Sequence, residues 1–159
     1  MLNRFLIFAL TSVLIASCGN KKKKMAGEDK VNQQEYVDFF PELQLPFVYG
    51  DTSLYAKSND SLLIAPEIFN QFTPDSLLKA TFNTEKPKLY AVGKFKEKDG
   101  PNYLLSKAVS AGHKALLVTA YNDNNEFLAG FVAMKSKKDK GISTNVTVDK
   151  DYNFNRKTI

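Results

Sequence analysis

The stretch KLYAVGKFKEKDGPNYLLSKAV, residues 88 to 109, decides the fold class because the hydrophobic period changes from helical to strand-like at its first residue. Leu89 to Phe95 has the pattern of a strand and leads into EKDGP, where Asp99-Gly100 is a strong hairpin signal. Tyr103 to Val109 then supplies the second strand. The stretch therefore predicts an antiparallel β-hairpin.

The sequence after this hairpin continues the same pattern. Two further strands, Ala115 to Tyr121 and Glu126 to Met134, follow the turns SAGHK and NDNN. A lysine-rich loop, KSKKDK, comes next and is interpreted as solvated. After it, apolar and threonine positions alternate with polar ones, as a sheet with one wet face requires: Ile142, Thr144, Val146 and Val148. Short links favour antiparallel neighbours, so the pattern predicts a meander.

The sequence before residue 88 indicates short helices. Ile68, Phe69 and Phe72 have helical spacing behind Pro66, which a first turn accepts. A second helix is predicted with Thr73 as its N-cap. Further upstream, PELQLP (41 to 46) is predicted to be extended, and residues 51 to 60 to be rich in turns.

Together these patterns predict an α+β fold, with short N-terminal helices packed on an antiparallel meander sheet of about six strands. Composition shifts near Val31, so residues 31–159 are predicted to form a single globular domain. Its last stretch, residues 151 to 159, is predicted to pair with the preceding strand and to leave its outer edge open. Two explanations stay open: the natural chain continues past Ile159, which is favoured, or a partner adds a strand there.

The N-terminus has the pattern of a secretory signal. A single arginine, Arg4, precedes an apolar run from Phe5 to Ala16. Twelve helical residues reach roughly 18 Å, well short of the roughly 30 Å hydrocarbon core of a bilayer. Residues 1–17 are therefore predicted to be a cleaved signal peptide rather than a membrane-spanning anchor.

Ile15-Ala16-Ser17-Cys18 resembles the lipobox of bacterial lipoproteins. The resemblance implies that the Cys18 thiol receives a diacylglycerol, that cleavage occurs before it, and that two or three acyl chains attach the protein to the membrane. Cys18 is the only cysteine, so no disulfide can form within the chain. Gly19 differs from the aspartate that retains enterobacterial lipoproteins in the inner membrane, so we expect an outer-membrane location in the cell envelope, facing either the periplasm or the medium.

A second resemblance is compositional. The content of Lys, Asn, Phe and Tyr, together with the lipobox, is similar to that of small lipoproteins of Bacteroidota. Asp60-Ser61-Leu62 and Asp75-Ser76-Leu77 also resemble the acceptor tripeptide of bacteroidal O-glycosylation. Local structure explains both tripeptides equally well, and neither resemblance implies an activity.

The charge distribution argues against nucleic-acid binding. The formal net charge is +5, with 22 Lys and Arg against 17 Asp and Glu. Setting aside Arg4 and Lys21 to Lys24 leaves 17 basic residues against 17 acidic ones, so the chain from Met25 onward is neutral. The four lysines lie in a predicted tether, residues 18–30, where they would face anionic headgroups. No nucleic-acid partner is predicted.

The sequence offers few catalytic groups, and no catalytic, metal-binding or cofactor-binding residue is predicted. The single histidine, His113, lies in a predicted turn. The cluster NDNNEF lacks the spacing of an EF-hand. The cluster DKDYNFN has acidic or amide side chains at every other residue from Asp149 to Asn155, and it is interpreted as a hairpin turn that enters a strand. Carboxylates that a fold could still bring together are listed here: Glu67, Asp75, Glu85, Glu97 and Asp99.

Three functions therefore stay open. The first is an envelope lipoprotein that binds or scaffolds an unidentified envelope protein or glycan without catalysis. The second is a glycan- or peptide-binding module, which requires an exposed aromatic face. Its candidate residues are Tyr49, Tyr55, Tyr90, Tyr103 and Tyr121. The third is a hydrolase with two carboxylates, which requires a cleft with convergent acids of shifted pKa.

Overall fold

The computed structural model describes Met25, Gly27 and residues 30–83, 85–136 and 143–158. The predicted signal peptide, the lipobox cysteine Cys18 and Lys21 to Lys24 of the tether lie outside the described residues, as does Ile142. No helix in the described part of the chain has the length and hydropathy needed to cross a bilayer.

Four short α-helices and one 3-10 helix precede most of the strands. The α-helices are α1 (Gln33–Phe39), α2 (Asp51–Tyr55), α3 (Pro66–Phe72) and α4 (Asp75–Phe82), and the 3-10 helix is Asp60–Leu62. The strands are β1 (Phe47–Gly50), β2 (Leu63–Ile64), β3 (Lys88–Lys96), β4 (Asn102–Val109), β5 (Lys114–Tyr121), β6 (Phe127–Lys135), β7 (Thr144–Val148) and β8 (Phe154–Thr158).

The strands form two antiparallel sheets. The larger has the order β2-β3-β4-β5-β6, and the smaller has the order β1-β7-β8. The predicted α+β class and the meander from β3 to β6 are confirmed. The hairpin turn at Asp99-Gly100 is also confirmed, with Asp99 at φ 58°. The sequence pattern did not separate the strands into two sheets.

The central strands are buried on both faces, which produces three layers. Leu104 and Leu105 are neighbours on β4 and both are fully buried, but they belong to different cores. The helix-side core lies between the larger sheet and three of the helices, α1, α3 and α4, and includes Tyr36, Phe40, Ile68, Phe69, Leu89, Leu104 and Leu117. The inter-sheet core lies between the two sheets, and includes Tyr49, Leu54, Phe95, Leu105, Leu116, Val118, Val146 and Val148.

A β-bulge in β3 changes the face to which the side chains of this strand point. The register with β4 shifts between Ala91 and Gly93, so Val92 is the extra residue. Ala91 faces the helix-side core, whereas Phe95 packs in the inter-sheet core. A regular strand would direct both side chains to the same face, because they are four residues apart. The bulge therefore allows one strand to contribute large side chains to both cores.

The bulge leads to a testable effect at Gly93. A Cβ atom there would collide with the Leu43 side chain, which packs against the inter-sheet core. We expect Gly93→Ala to lower the free energy of unfolding by about 1–3 kcal/mol, as overpacking does. Gly112→Ala is the matched control, because its Cβ would meet only Glu85 at 3.6 Å. Urea unfolding of both variants measures the difference, and equal midpoints would contradict the packing argument.

Two local predictions need correction. Residues 51 to 60, predicted to be turns, begin with α2, whose Leu54 is fully buried. Thr73 is not the N-cap of α4: the helix begins at Asp75 after Pro74, which makes no capping bond. The Thr73 hydroxyl instead forms a buried hydrogen bond, 2.9 Å long, with the Tyr121 hydroxyl. A tertiary partner replaces the local cap.

A buried lysine holds α2 in place. The Lys107 side chain is on β4, and its Nζ donates hydrogen bonds to the main-chain oxygens of Ser53 (3.2 Å) and Ala56 (2.6 Å) at the C-terminal end of α2. Burial lowers the pKa of the Lys107 ammonium, and the nearby charge of Lys114 lowers it further. Lysine near a helix C-terminus satisfies carbonyls that the helix itself leaves unpaired.

The C-terminal prediction is confirmed for the described residues. β8 pairs with β7 over Thr158 to Phe154, and it is the last strand of its sheet. Its outer edge therefore has no strand beside it within the described part of the chain.

Candidate functional site

The open edges of the two sheets lie side by side and form the candidate site. β6 ends the larger sheet and β8 ends the smaller one. The ring of Phe131 on β6 packs edge-on against that of Phe154 on β8, with centroids 5.4 Å apart. This contact joins the two free edges on one side of the molecule.

Two shallow depressions run along this junction, with volumes of about 230 and 180 Å³. Val132 and Arg156 line both of them, so the two are continuous. We call this surface the edge groove, and its described lining residues are Phe131, Val132, Ala133, Met134, Lys135, Thr144, Val146, Phe154, Asn155, Arg156 and Thr158.

The charges of the edge groove have one sign. Among its described lining residues, the charged ones are Lys135 and Arg156. Arg156 is directly opposite Val146 in the register, and Val146 is buried in the inter-sheet core. Cross-strand partners share a face, so Arg156 lies on the groove side of β8, whereas Lys157 is on the opposite face. The groove therefore favours an anionic ligand.

The free edge of β6 lacks protective charges, although its register with β5 shifts between Leu116 and Leu117 and between Ala120 and Tyr121. No charged residue occurs from Phe127 to Met134, and the side chains of Leu128 and Phe131 are 54% and 42% exposed. In contrast, β8 contains two charged residues, Arg156 and Lys157. Natural edge strands normally carry charges, especially lysine, that discourage added strands. Sequence reasoning selected the β8 edge, but β6 is the unprotected one.

The opposite edge of the larger sheet is covered by the chain itself. Met25 forms a parallel bridge with Ile64 of β2, and its carbonyl accepts a hydrogen bond from the Ala65 amide at 2.6 Å. Met25 is also almost fully buried. This contrast leaves β6 as the exposed end of the sheet within the described residues. The uncharged run FLAGFVAM was the sequence signal that could have identified it.

Three of the predicted carboxylates do come together, in a different place. Glu67, Asp75 and Glu85 line a cleft of about 580 Å³ beside α3 and α4, together with Lys79 and Lys86. Asp75 pairs with Lys79 at 3.5 Å. A hydrogen bond with the Ser110 side chain lowers the pKa of the Glu85 carboxyl, and the nearby His113 lowers it further.

The lowered pKa of Glu85 does not suit a general acid. The general acid of a glycosidase needs a raised pKa. The carboxyl groups of Asp38, Glu85 and Asp149 instead have lowered pKa values. Glu97 and Asp99 lie at the turn between β3 and β4, outside the residues that line the cleft. The arrangement gives no support to a two-carboxylate hydrolase.

His113 also lacks the geometry of a catalytic residue. It lies in the turn between β4 and β5, half-exposed, with Nδ1 3.4 Å from the Glu85 carboxylate. The Ser110 hydroxyl donates to the main-chain oxygen of His113 at 3.1 Å. A catalytic triad requires that hydroxyl to bond to the imidazole. The three residues therefore stabilise a turn.

The two clusters of acidic and amide residues, NDNNEF and DKDYNFN, form turns. Asp149 accepts hydrogen bonds from the amides of Asp151 and Asn153, both at 2.9 Å, and these bonds hold the β7–β8 turn. Hydrogen bonding to Asn153 lowers the pKa of Asp149. Asn122 similarly accepts from the Glu126 amide in the β5–β6 turn. Across the described ranges, no group of three or more candidate metal ligands occurs.

The tyrosines do not form an aromatic platform. Tyr121 belongs to the helix-side core, while Tyr49 and Tyr103 pack in or against the inter-sheet core. Tyr55 is exposed and lies near Lys114, with Nζ 4.5 Å from the ring centroid. Tyr90 is half-buried on β3. A glycan platform would need these rings on one exposed face, and they are scattered.

Comparison with known proteins adds no relative: no protein-family model, no curated protein and no solved structure matches the chain.

Proposed function

We propose that this chain is a lipid-anchored protein of the cell envelope, in the outer membrane, whose folded domain binds another envelope component without catalysing a reaction. The lipobox ending at Cys18 supports the anchor. The basic tether and the neutral domain after it support a membrane partner and no nucleic acid. One observation carries the binding role: an uncharged, exposed sheet edge, β6, lies beside a cationic groove.

Of the two binding versions, the protein partner is favoured over the glycan. The tyrosines that a glycan platform would need are scattered, and two of them, Tyr49 and Tyr121, are buried in separate cores. An open strand edge instead offers main-chain donors and acceptors, which peptides use when they add to a sheet. The partner class that fits this surface is therefore a protein segment.

The anchor is tested by Cys18→Ala. We expect the wild-type protein to stay in the membrane fraction at high salt, and the variant to move to the aqueous fraction, because two or three acyl chains are needed for lasting attachment. High salt is used because it screens the attraction of Lys21 to Lys24 for anionic lipids. Mass spectrometry of the mature protein should show a diacylglycerol-modified N-terminal cysteine.

A variant with Lys21 to Lys24 replaced by glutamine and Cys18 retained is the matched control. It should stay membrane-bound at high salt, because its lipid is unchanged. A Cys18→Ala variant that resists high salt, or a mature N-terminus downstream of Cys18, would contradict the anchor.

A further inference from the structure

We infer that the edge groove binds an extended acidic segment of a partner protein, which adds as a new strand to β6. This inference rests on the proposed binding role and specifies the ligand class for that surface. Backbone pairing, side-chain packing and charge each favour this ligand.

The backbone of β6 can accept a strand. It has nine residues and pairs with β5 along one edge, from Tyr121↔Phe127 to Ala115↔Lys135. In a strand, alternate residues direct their N–H and C=O groups to opposite edges. Within the described residues, the groups on the outer edge of β6 therefore face no strand. An added segment would lie about 4.8 Å away and hydrogen-bond to them.

The side chains around this edge set the character of the segment. Phe131 is opposite Val118 in the register, and Val118 is in the inter-sheet core, so Phe131 faces the smaller sheet. Alternate residues of an added strand would share that face and meet Phe154 and Arg156. Apolar groups would pack on the two rings, and carboxylates would reach the guanidinium of Arg156.

Charge also favours a segment of another protein over a second copy of this chain. Two β6 strands paired antiparallel about Phe131 would place each Lys135 opposite Phe127 of the other copy, beside Glu126. The described lining of the groove would supply no carboxylate to either Arg156. An acidic segment of a different protein would supply carboxylates to Arg156 directly.

The probe is a fluorescent eight-residue peptide in which two valines alternate with two glutamates, so that each face of an added strand carries both residue types. It is titrated into the full-length protein in detergent at constant salt. Fluorescence anisotropy reports binding. We expect Arg156→Glu to weaken binding by about 10-fold or more, because an attraction becomes a repulsion. Lys157→Glu is the matched control: the charge change is identical and one residue away, but on the opposite face. It should change the affinity by less than about 3-fold.

Two further peptides test strand addition itself. Replacing every glutamate by lysine should abolish binding to the wild-type protein. Methylating the amide nitrogens of alternate residues keeps the charges but removes the donors on one edge, and it should also abolish binding. Hydrogen exchange should show new protection of β6 amides when the acidic peptide is bound.

Several results would overturn the inference. Equal binding of the methylated peptide would show a purely electrostatic contact. Equal effects of Arg156→Glu and Lys157→Glu would place the site elsewhere. A dimer in light scattering, with β6 amides already protected without peptide, would assign the edge to a second copy. None of these outcomes affects the Cys18→Ala result, so failure of the anchor and failure of the peptide site can be distinguished.

Discussion

Replacing Leu116 or Leu117 by alanine is expected to lower the free energy of unfolding by about 2–5 kcal/mol in each case. The two residues are adjacent on β5 and both are fully buried. Leu116 packs in the inter-sheet core and Leu117 in the helix-side core. A sheet with one wet face would make one of the two substitutions nearly neutral, so the pair tests the three-layer arrangement directly.

Urea unfolding, followed by circular dichroism, measures both changes. Leu128→Ala is the control: Leu128 lies on β6 and is half-exposed, so its loss should change stability by no more than about 0.5 kcal/mol. A nearly neutral result for either Leu116→Ala or Leu117→Ala would remove one of the two cores from the description. Folded domains are in general only marginally stable, so we expect the double variant to be largely unfolded.

Local patterns in the sequence predicted most of the elements. Helical spacing identified α3, and Asp99-Gly100 identified the β3–β4 turn, because both signals depend on residues close in the chain. Alternation at Thr144, Val146 and Val148 identified β7 for the same reason. The pairing of β8 with β7 could also be predicted, because a short turn separates the two strand patterns.

The division into two sheets could not be predicted, because it depends on contacts between distant residues. β1 pairs with β7, about one hundred residues later. The bulge at Val92 reverses the faces of β3, so a period-two count assigns Ala91 and Phe95 to the same side. α2 depends on tertiary partners as well: Lys107 bonds to its C-terminal end, and the Thr144 amide donates to Asp51 at 2.7 Å.

The candidate site was harder to predict than the fold. Its residues come from three strands, and none of them belongs to a motif. The predicted alternatives, carboxylates and tyrosines, were selected for their chemistry and were dispersed by the fold or used in packing. The edge groove instead follows from the topology, because the edge strands of the two sheets, β6 and β8, lie side by side.

High pH should destabilise the fold through its buried tyrosines. Burial raises the pKa of Tyr49 to about 12, and burial also raises the pKa values of Tyr36, Tyr103 and Tyr121. In the unfolded chain these hydroxyls ionise near pH 10. The unfolded state therefore releases protons that the native state keeps, and stability falls as the pH rises from about 10 to 12.

For Tyr49 alone, a pKa raised from 10 to about 12 corresponds to a loss of about 3 kcal/mol once the pH exceeds both values. Lys107 acts in the opposite direction: its lowered pKa makes stability rise with pH up to about 10.5, where the unfolded lysine also loses its proton. The four tyrosines outnumber this one lysine, so we expect a net loss above pH 10.

Tyr49→Phe isolates the effect. At pH 7 the variant loses the 3.3 Å hydrogen bond from the Tyr49 hydroxyl to the Ser53 oxygen, worth about 0.5–1.5 kcal/mol, and should be slightly less stable than the wild type. Above pH 11 the order should reverse, because phenylalanine cannot ionise in the unfolded chain. Denaturant unfolding at both pH values, with tyrosinate absorbance as a second probe, measures the crossing. A stability difference that does not change with pH would show that the Tyr49 hydroxyl ionises equally in the folded and unfolded states, and would contradict its burial against Leu54 and Val146 in the inter-sheet core.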